Sequence, residues 1–345
     1  MPRGFLPWFL GMGLAFCATG GALAQMQVLE PMQSFEEVSV EADKPVNVCA
    51  PDEFTIAQMA WPSAAILANI HAIILTEHFD CPTRLVTGDP SGTISSMTTT
   101  GRPAVAPELW VSRVPDLWNG ALRAQSVRAA GPVFSEQNLE GWFIPSYVRD
   151  NHPGLVAAED LDDYWRVFAP EGGERGVLVS CPPDWACALL NRNLLTGYGI
   201  DNRFEVTEPA DRFTLDRMIA DAASQRAPIL VYYWQPNGLI DRFDLIALDM
   251  GPFDHGNAQC IALANCVPFG PSSFAADTVV IGLAEWVFAD APQIAGYFAR
   301  AVFPLDEMNR LLALQAENDW DAEQAARHFV DSHEGIWREW VGQAQ

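Results

Sequence analysis

The chain has 345 residues, 49% of them hydrophobic, and carries 20 Lys and Arg against 44 Asp and Glu, a formal charge of −24. Nucleic acid and anionic lipid both demand clustered basic side chains, so this balance excludes them as partners. The length suffices for two domains, each with its own sizeable core.

Residues 1–24 read as a secretory signal: Arg3 supplies the positive end, Phe5 to Phe16 the apolar stretch, and Ala22-Leu23-Ala24 the small-residue cleavage pattern. Gly11, Gly13, Gly20 and Gly21 interrupt the apolar run, which is short for a spanning helix of about 20 residues. Phe16 before Cys17 is bulky where lipid attachment needs a small residue, so cleavage near Ala24 is expected.

After a polar lead-in to Lys44, Phe54 to Met59 predicts a buried strand and Ser63 to His78 a helix. Strands follow at Arg84 to Thr87 and Ala104 to Leu109, with turn signals at Gly88 to Gly92 and Gly101 to Pro103. The pattern restarts with a strand at Gly176 to Ser180, a helix at Ala188 to Tyr198, a strand at Phe204 to Val206, a helix at Thr214 to Gln225 and a strand at Pro228 to Tyr233. It resumes strand-like at Leu245 and ends in helices near Pro292 to Ala301, Leu305 to Glu317 and Ala322 to Val330. Strands alternating with helices imply an α/β fold with parallel-rich sheets. The two strand clusters predict two lobes: residues 25–133 with 243–345, and residues 134–242, the chain crossing near Gly131-Pro132 and near Ile240 to Phe243. Such lobes can close on a ligand in the cleft between them by hinge motion.

Without Cys17, six cysteines remain, an even number in an exported chain, and three disulfides are expected. Cys181–Cys187 and Cys260–Cys266 can each close a small loop, which leaves Cys49–Cys81. No cysteine pair has C-x2-C spacing, so no metal site is expected.

Nucleophile-elbow, Walker and H-E-x-x-H motifs are absent, and the six histidines are scattered without ligand spacing, so no catalytic residue is assigned. Asp162-Asp163 reads as the solvated face of a polar helix rather than a glycosidase pair. Glu108, two residues before Trp110, either points at the crevice or caps the next turn. Trp165, Trp286, Trp320, Trp337 and Trp340 read as core. Trp61, Trp110, Trp185 and Trp234 instead follow predicted strands, where open α/β sheets bind ligands. Rings from three strand ends can box a trimethylammonium group, whose methyls donate no ordinary hydrogen bond. Each ring contributes about 0.5 to 2 kcal/mol by cation–π attraction.

The segments Phe54-Thr-Ile-Ala-Gln-Met-Ala-Trp61, Ala106-Pro-Glu-Leu-Trp110, Gly141-Trp-Phe-Ile-Pro-Ser-Tyr147, Cys181-Pro-Pro-Asp-Trp-Ala-Cys187 and Tyr232-Tyr-Trp-Gln-Pro236, with the Trp337-Arg-Glu-Trp340 ending, resemble the periplasmic substrate-binding proteins of glycine betaine, proline betaine and choline ABC importers. The resemblance covers nearly the whole mature chain. It implies a two-lobed periplasmic binding protein fold, no cofactor, a monomer, and delivery of a small quaternary ammonium ligand to an inner-membrane permease. By position, Trp61, Trp185 and Trp234 match the aromatic box, and the backbone N–H groups of Trp185, Ala186 and Cys187 match the carboxylate site, as adjacent donors in a stiff loop can. Trp110, Trp142 and Tyr147 match positions that line the cleft in some branches. Ala65 stands where some betaine-binding members carry a His, and Asp184 adds a negative charge beside Trp185, so choline and carnitine stay open beside the betaines. A receptor feeding a sensor and a secreted hydrolase with a Trp-lined sugar cleft are the alternatives.

Overall fold

The computed structural model describes Cys49 and residues 53–136, 140–267 and 270–342; the signal segment and the lead-in to Lys44 lie outside the described residues. The first lobe begins with β1 (Phe54–Met59), α1 (Pro62–Phe79), β2 (Thr83–Gly88), α2 (Pro90–Thr100), β3 (Val105–Trp110), α3 (Pro115–Arg123) and β4 (Val127–Pro132). The chain then crosses to β5 (Glu140–Pro145), α4 (Ser146–Asn151), α5 (Leu161–Tyr164), β6 (Gly176–Val179), α6 (Ala186–Gly197), β7 (Phe204–Thr207), α7 (Arg212–Ser224), β8 (Leu230–Trp234), α8 (Gly238–Arg242), β9 (Leu245–Ala247) and α9 (His255–Ile261). It returns through β10 (Val279–Ala284) and finishes with α10 (Glu285–Asp290), α11 (Pro292–Arg300), α12 (Leu305–Asn318), α13 (Ala322–Ser332) and α14 (Glu334–Trp340).

The strands form two five-stranded sheets, in the orders β2-β1-β3-β10-β4 and β7-β6-β8-β5-β9. Each contains four strands of one direction and one strand, β10 or β5, that runs antiparallel to both of its neighbours. In each lobe that antiparallel strand is the first one after a crossing. The expectation that the first lobe resumes at residue 243 is corrected by the pairing of β9 with β5, which keeps Leu245–Ala247 in the second sheet. The chain rejoins the first sheet only at β10, because three apolar residues in an extended run carry no information about which sheet they extend.

The first lobe buries one core, with Phe54 and Ile56 of β1, Val105 and Leu109 of β3 and Val280 and Leu283 of β10 beneath α1, α11 and α13. Covered on both faces, β1 is buried almost throughout, Thr55 included, which explains why its sequence does not alternate strictly between apolar and polar residues. The second sheet sends alternate residues to two cores: Trp142, Ile144, Leu230 and Tyr232 to one, Phe143, Val231 and Tyr233 to the other. The turn signals around β2 and β3 prove to be helix caps. Asp89 accepts the Gly92 N–H at 3.0 Å with Pro90 at the first helical position, and Gly101 ends α2 at φ 66°. Between these caps the helix is mostly Ser and Thr, so its apolar period was too weak to read.

The three disulfides are Cys49–Cys81, Cys181–Cys187 and Cys260–Cys266. The first ties the lead into β1 to the lead into β2, at one end of a parallel pair. The second fastens the loop after β6 to the first turn of α6.

Candidate functional site

The four tryptophans of interest stand at the carboxyl ends of parallel strands. Trp61 is the extended N-cap residue between β1 and α1, Trp110 closes β3, Trp185 is the extended N-cap of α6 after β6, and Trp234 closes β8. In each case the strand ends because Pro or a helix start follows, and the ring is left at the sheet's edge, half-buried.

Between the lobes lies a cavity of about 840 Å³. Trp61, Ser63, Trp110 and Arg113 line it from the first lobe, and Glu140, Arg212, Asp216 and the segment Trp234 to Leu239 from the second. A third wall comes from the end of α12 and the turn after it, including Ala316 and Trp320. The volume lies in the usual range for ligand pockets and exceeds what a single small amine fills.

The first-lobe rings are held by Glu108. Its Oε1 accepts the indole N–H of Trp61 at 2.7 Å, the indole N–H of Trp110 at 2.8 Å and the Ser63 hydroxyl at 3.1 Å. The carboxyl group is 1% exposed, and Oε2 is buried without a hydrogen-bond partner among the described residues. Burial is the largest influence on its pKa and raises it to about 7, against the three hydrogen bonds that lower it. Neither sequence reading of Glu108 is therefore met: it neither lines the cavity nor caps the turn.

The second-lobe rings touch each other, Trp185 and Trp234 at 5.5 Å between centroids and 58° between planes. Trp234 also stacks on Tyr233 at 4.5 Å, and the Arg212 guanidinium lies 5.4 Å from its ring. Trp185 is set back from the cavity and reaches it through Trp234. Behind it, Ala186 and Cys187 open α6, where backbone N–H groups have no partner within the helix. Ala65 sits on α1, its N–H bonded to the Trp61 carbonyl, and offers no side-chain donor.

Two expected lining residues lie elsewhere. Trp142 is fully buried in the second lobe, where its indole N–H donates to Asn191 Oδ1 at 2.8 Å, and Asn191 donates in turn to Ser180. Its position in β5 points it into a core, away from the cleft. Tyr147, on α4, donates to the Ala227 carbonyl at 2.8 Å with the Arg226 guanidinium 4.8 Å from its ring, a contact just before β8, at the end of that strand opposite Trp234. Trp320, by contrast, was read as core and lines the cavity. Its setting between two helices, after Asn318 and the left-handed Asp319 at φ 54°, is the signal that places it at an exposed junction.

Two sets of contacts tie the walls together. Arg113, after β3, reaches Glu140 at the start of β5 at 2.8 Å and Asp277, two residues before β10, at 2.6 Å. Asn309 of α12 accepts the Asn237 backbone N–H at 2.7 Å and donates to Gln235 at 2.7 Å.

Residues 52–332 match the family described as the substrate binding domain of the ABC-type glycine betaine transport system. The solved structures that are similar in fold include a glycine betaine/carnitine/choline ABC transporter protein, at 12% identity, TM-score 0.58, and coverage of 83% of this chain and 99% of that one. Lactococcal OpuAC in its closed conformation with glycine betaine matches at 14% identity, TM-score 0.52, and 84% and 100% coverage. The glycine betaine/L-proline-binding protein ProX from Borrelia burgdorferi matches at 16% identity, TM-score 0.50, and 84% and 97% coverage.

Proposed function

Since the chain belongs to the family of substrate binding domains of ABC-type glycine betaine transport systems, we propose that its cavity captures a quaternary ammonium compound between the rings of Trp61, Trp110 and Trp234. The observation that carries this reading is the convergence of three strand-end tryptophans from two lobes on one cavity. Their faces suit a cation that water solvates weakly, and three rings give roughly 2 to 6 kcal/mol. With one polar anchor added, that reaches micromolar affinity, about 8 kcal/mol.

Closure of the lobes brings Trp185 and the first N–H groups of α6 toward the ligand. Ala186 and Cys187 then offer a carboxylate two donors and the positive end of a helix of 12 residues. A betaine or carnitine uses that anchor, whereas choline does not. The receptor works as a monomer in the periplasm, hands its ligand unchanged to an inner-membrane permease, and performs no covalent chemistry. Among the described residues no helix is long and apolar enough to cross a membrane.

The test is titration of the purified protein with glycine betaine, proline betaine, choline and carnitine, followed by tryptophan fluorescence and calorimetry. Saturable binding of one of them is expected, with the ligand recovered unchanged. Silence with all four refutes the reading.

A further inference from the structure

We propose that Glu108 is a positioning residue of the binding site: it holds the Trp61 and Trp110 rings by their N–H edges on one oxygen and supplies, one layer behind them, the negative charge that balances a bound cation. The inference rests on the quaternary-amine reading and deepens it by giving the site a pH response.

The geometry carries the argument. Three donors converge on Oε1 within 3.1 Å, while Oε2, buried, has no partner among the described residues. The acidic proton therefore belongs on Oε2, and its loss leaves Oε1 still accepting both indoles. Ionisation makes those two hydrogen bonds charge-assisted, which shortens them and strengthens the hold on the rings. It also places a full negative charge behind the two faces that meet the ligand, where the surroundings are dry and screening is weak.

Other charges do not account for such a response. Neither β1 nor β10, the strands flanking β3, carries a titratable side chain. On α1, His71 is held neutral by burial, its pKa lowered to about 3, while Glu77 and His78 sit in the last turn of the helix, far from Ser63 at its start. Asp89 caps α2, Asp116 and Arg123 lie on α3, and Arg113 is engaged by Asp277 and Glu140. Across the cavity stand Arg212, Asp216, Arg242 and Asp319. Burial, not any of these, dominates the upward shift of Glu108.

The signs follow from linkage. A carboxyl group whose pKa is raised on folding stabilises the empty protein at low pH, and that contribution is lost as pH rises through about 7. A bound cation favours the ionised form, so its affinity moves the opposite way and grows over the same window. If binding lowers the Glu108 pKa by about one unit, affinity rises about fivefold from pH 6 to pH 8.

The experiment measures affinity for choline and for tetramethylammonium, two cations whose charge does not change with pH, between pH 5.5 and 8.5 in the wild-type protein, Glu108→Gln and Glu108→Ala. The emission of the ligand-free proteins is recorded over the same range. The wild type is expected to bind more tightly as pH rises and to show an emission change near pH 7 without ligand. Glu108→Gln keeps an acceptor for both indoles and should bind with a flat pH profile and no emission change; Glu108→Ala should bind weakly at every pH. Wild-type affinity that is flat, or a Gln variant that keeps the rise, overturns the role of Glu108 while leaving the receptor reading intact. Wild-type protein that binds neither cation at any pH, yet shows the emission change, overturns the counter-charge and locates the fault in the ligand class.

Discussion

Gly238→Ala tests how closely the two lobes are joined beside the cavity. Gly238 opens α8, and a Cβ built on it would lie 2.7 Å from the Ala313 nitrogen, 2.9 Å from the Leu312 carbonyl carbon and 3.0 Å from the Ala313 Cα. These are backbone atoms of α12, so no side chain can swing aside. Restoring ordinary contact requires the two helices to part by about 0.7 Å, an overpacking that costs about 1–3 kcal/mol. The same displacement stretches the two 2.7 Å hydrogen bonds of Asn309 to about 3.4 Å, where each loses much of its roughly 1 kcal/mol. Alanine recovers up to about 1 kcal/mol by restricting the unfolded chain. The net loss is about 2–4 kcal/mol, which lowers the thermal midpoint by roughly 3–6 °C in a protein of this size. Ligand affinity should fall with it, because Gly238 and Ala313 both line the cavity. A melting curve and a titration that coincide with wild type would refute the claim that backbone contact between α8 and α12 sets the cavity's width.

Trp234→Ala removes a ring that lines the cavity and the surface on which Trp185 rests, and calorimetry should show binding weakened by about 0.5–2 kcal/mol, with unchanged affinity placing the ligand elsewhere. Trp142→Phe should leave affinity unaltered and lower stability, since its indole N–H serves Asn191 within the core; loss of binding without loss of stability would return Trp142 to the site. In urea unfolding, loss of Cys49–Cys81, separated by 32 positions, should cost about 3.7 kcal/mol and loss of Cys260–Cys266, separated by 6, about 2.2; the reverse order would contradict the loop-entropy account.

Much of this arrangement is legible in the residues. β1 begins and ends where its apolar run does, and Pro62 after Trp61 marks the helix that fixes the ring at the strand's end. The cysteines could be paired because two of the pairs close short loops. What escaped the sequence is what depends on partners distant along the chain. β9 has three residues, and only its hydrogen bonds to β5 decide its lobe. Trp142 and Phe143 are equally aromatic, and both face a core because β5 is covered on its two faces, which a motif match to cleft-lining positions does not reveal. Glu108 was seen as notable, but a carboxylate shared by two indoles 47 and 2 positions away is visible only once β1 and β3 lie side by side.

The order of strands in the first sheet bears on how the chain comes to be folded at all. Among the described strands β4 pairs with β10 alone, and β10 is inserted between β3 and β4 from more than 140 positions later. During synthesis from the amino end, the first lobe therefore waits with a gap in its sheet while the whole second sheet, from β5 to β9, emerges and has every strand it needs. The later domain completes itself first, and the earlier one is sealed last, by the strand that also brings the chain back across the cleft. A chain ending at residue 274 should accordingly protect the amides of β5–β9 from hydrogen exchange and leave those of β4 open.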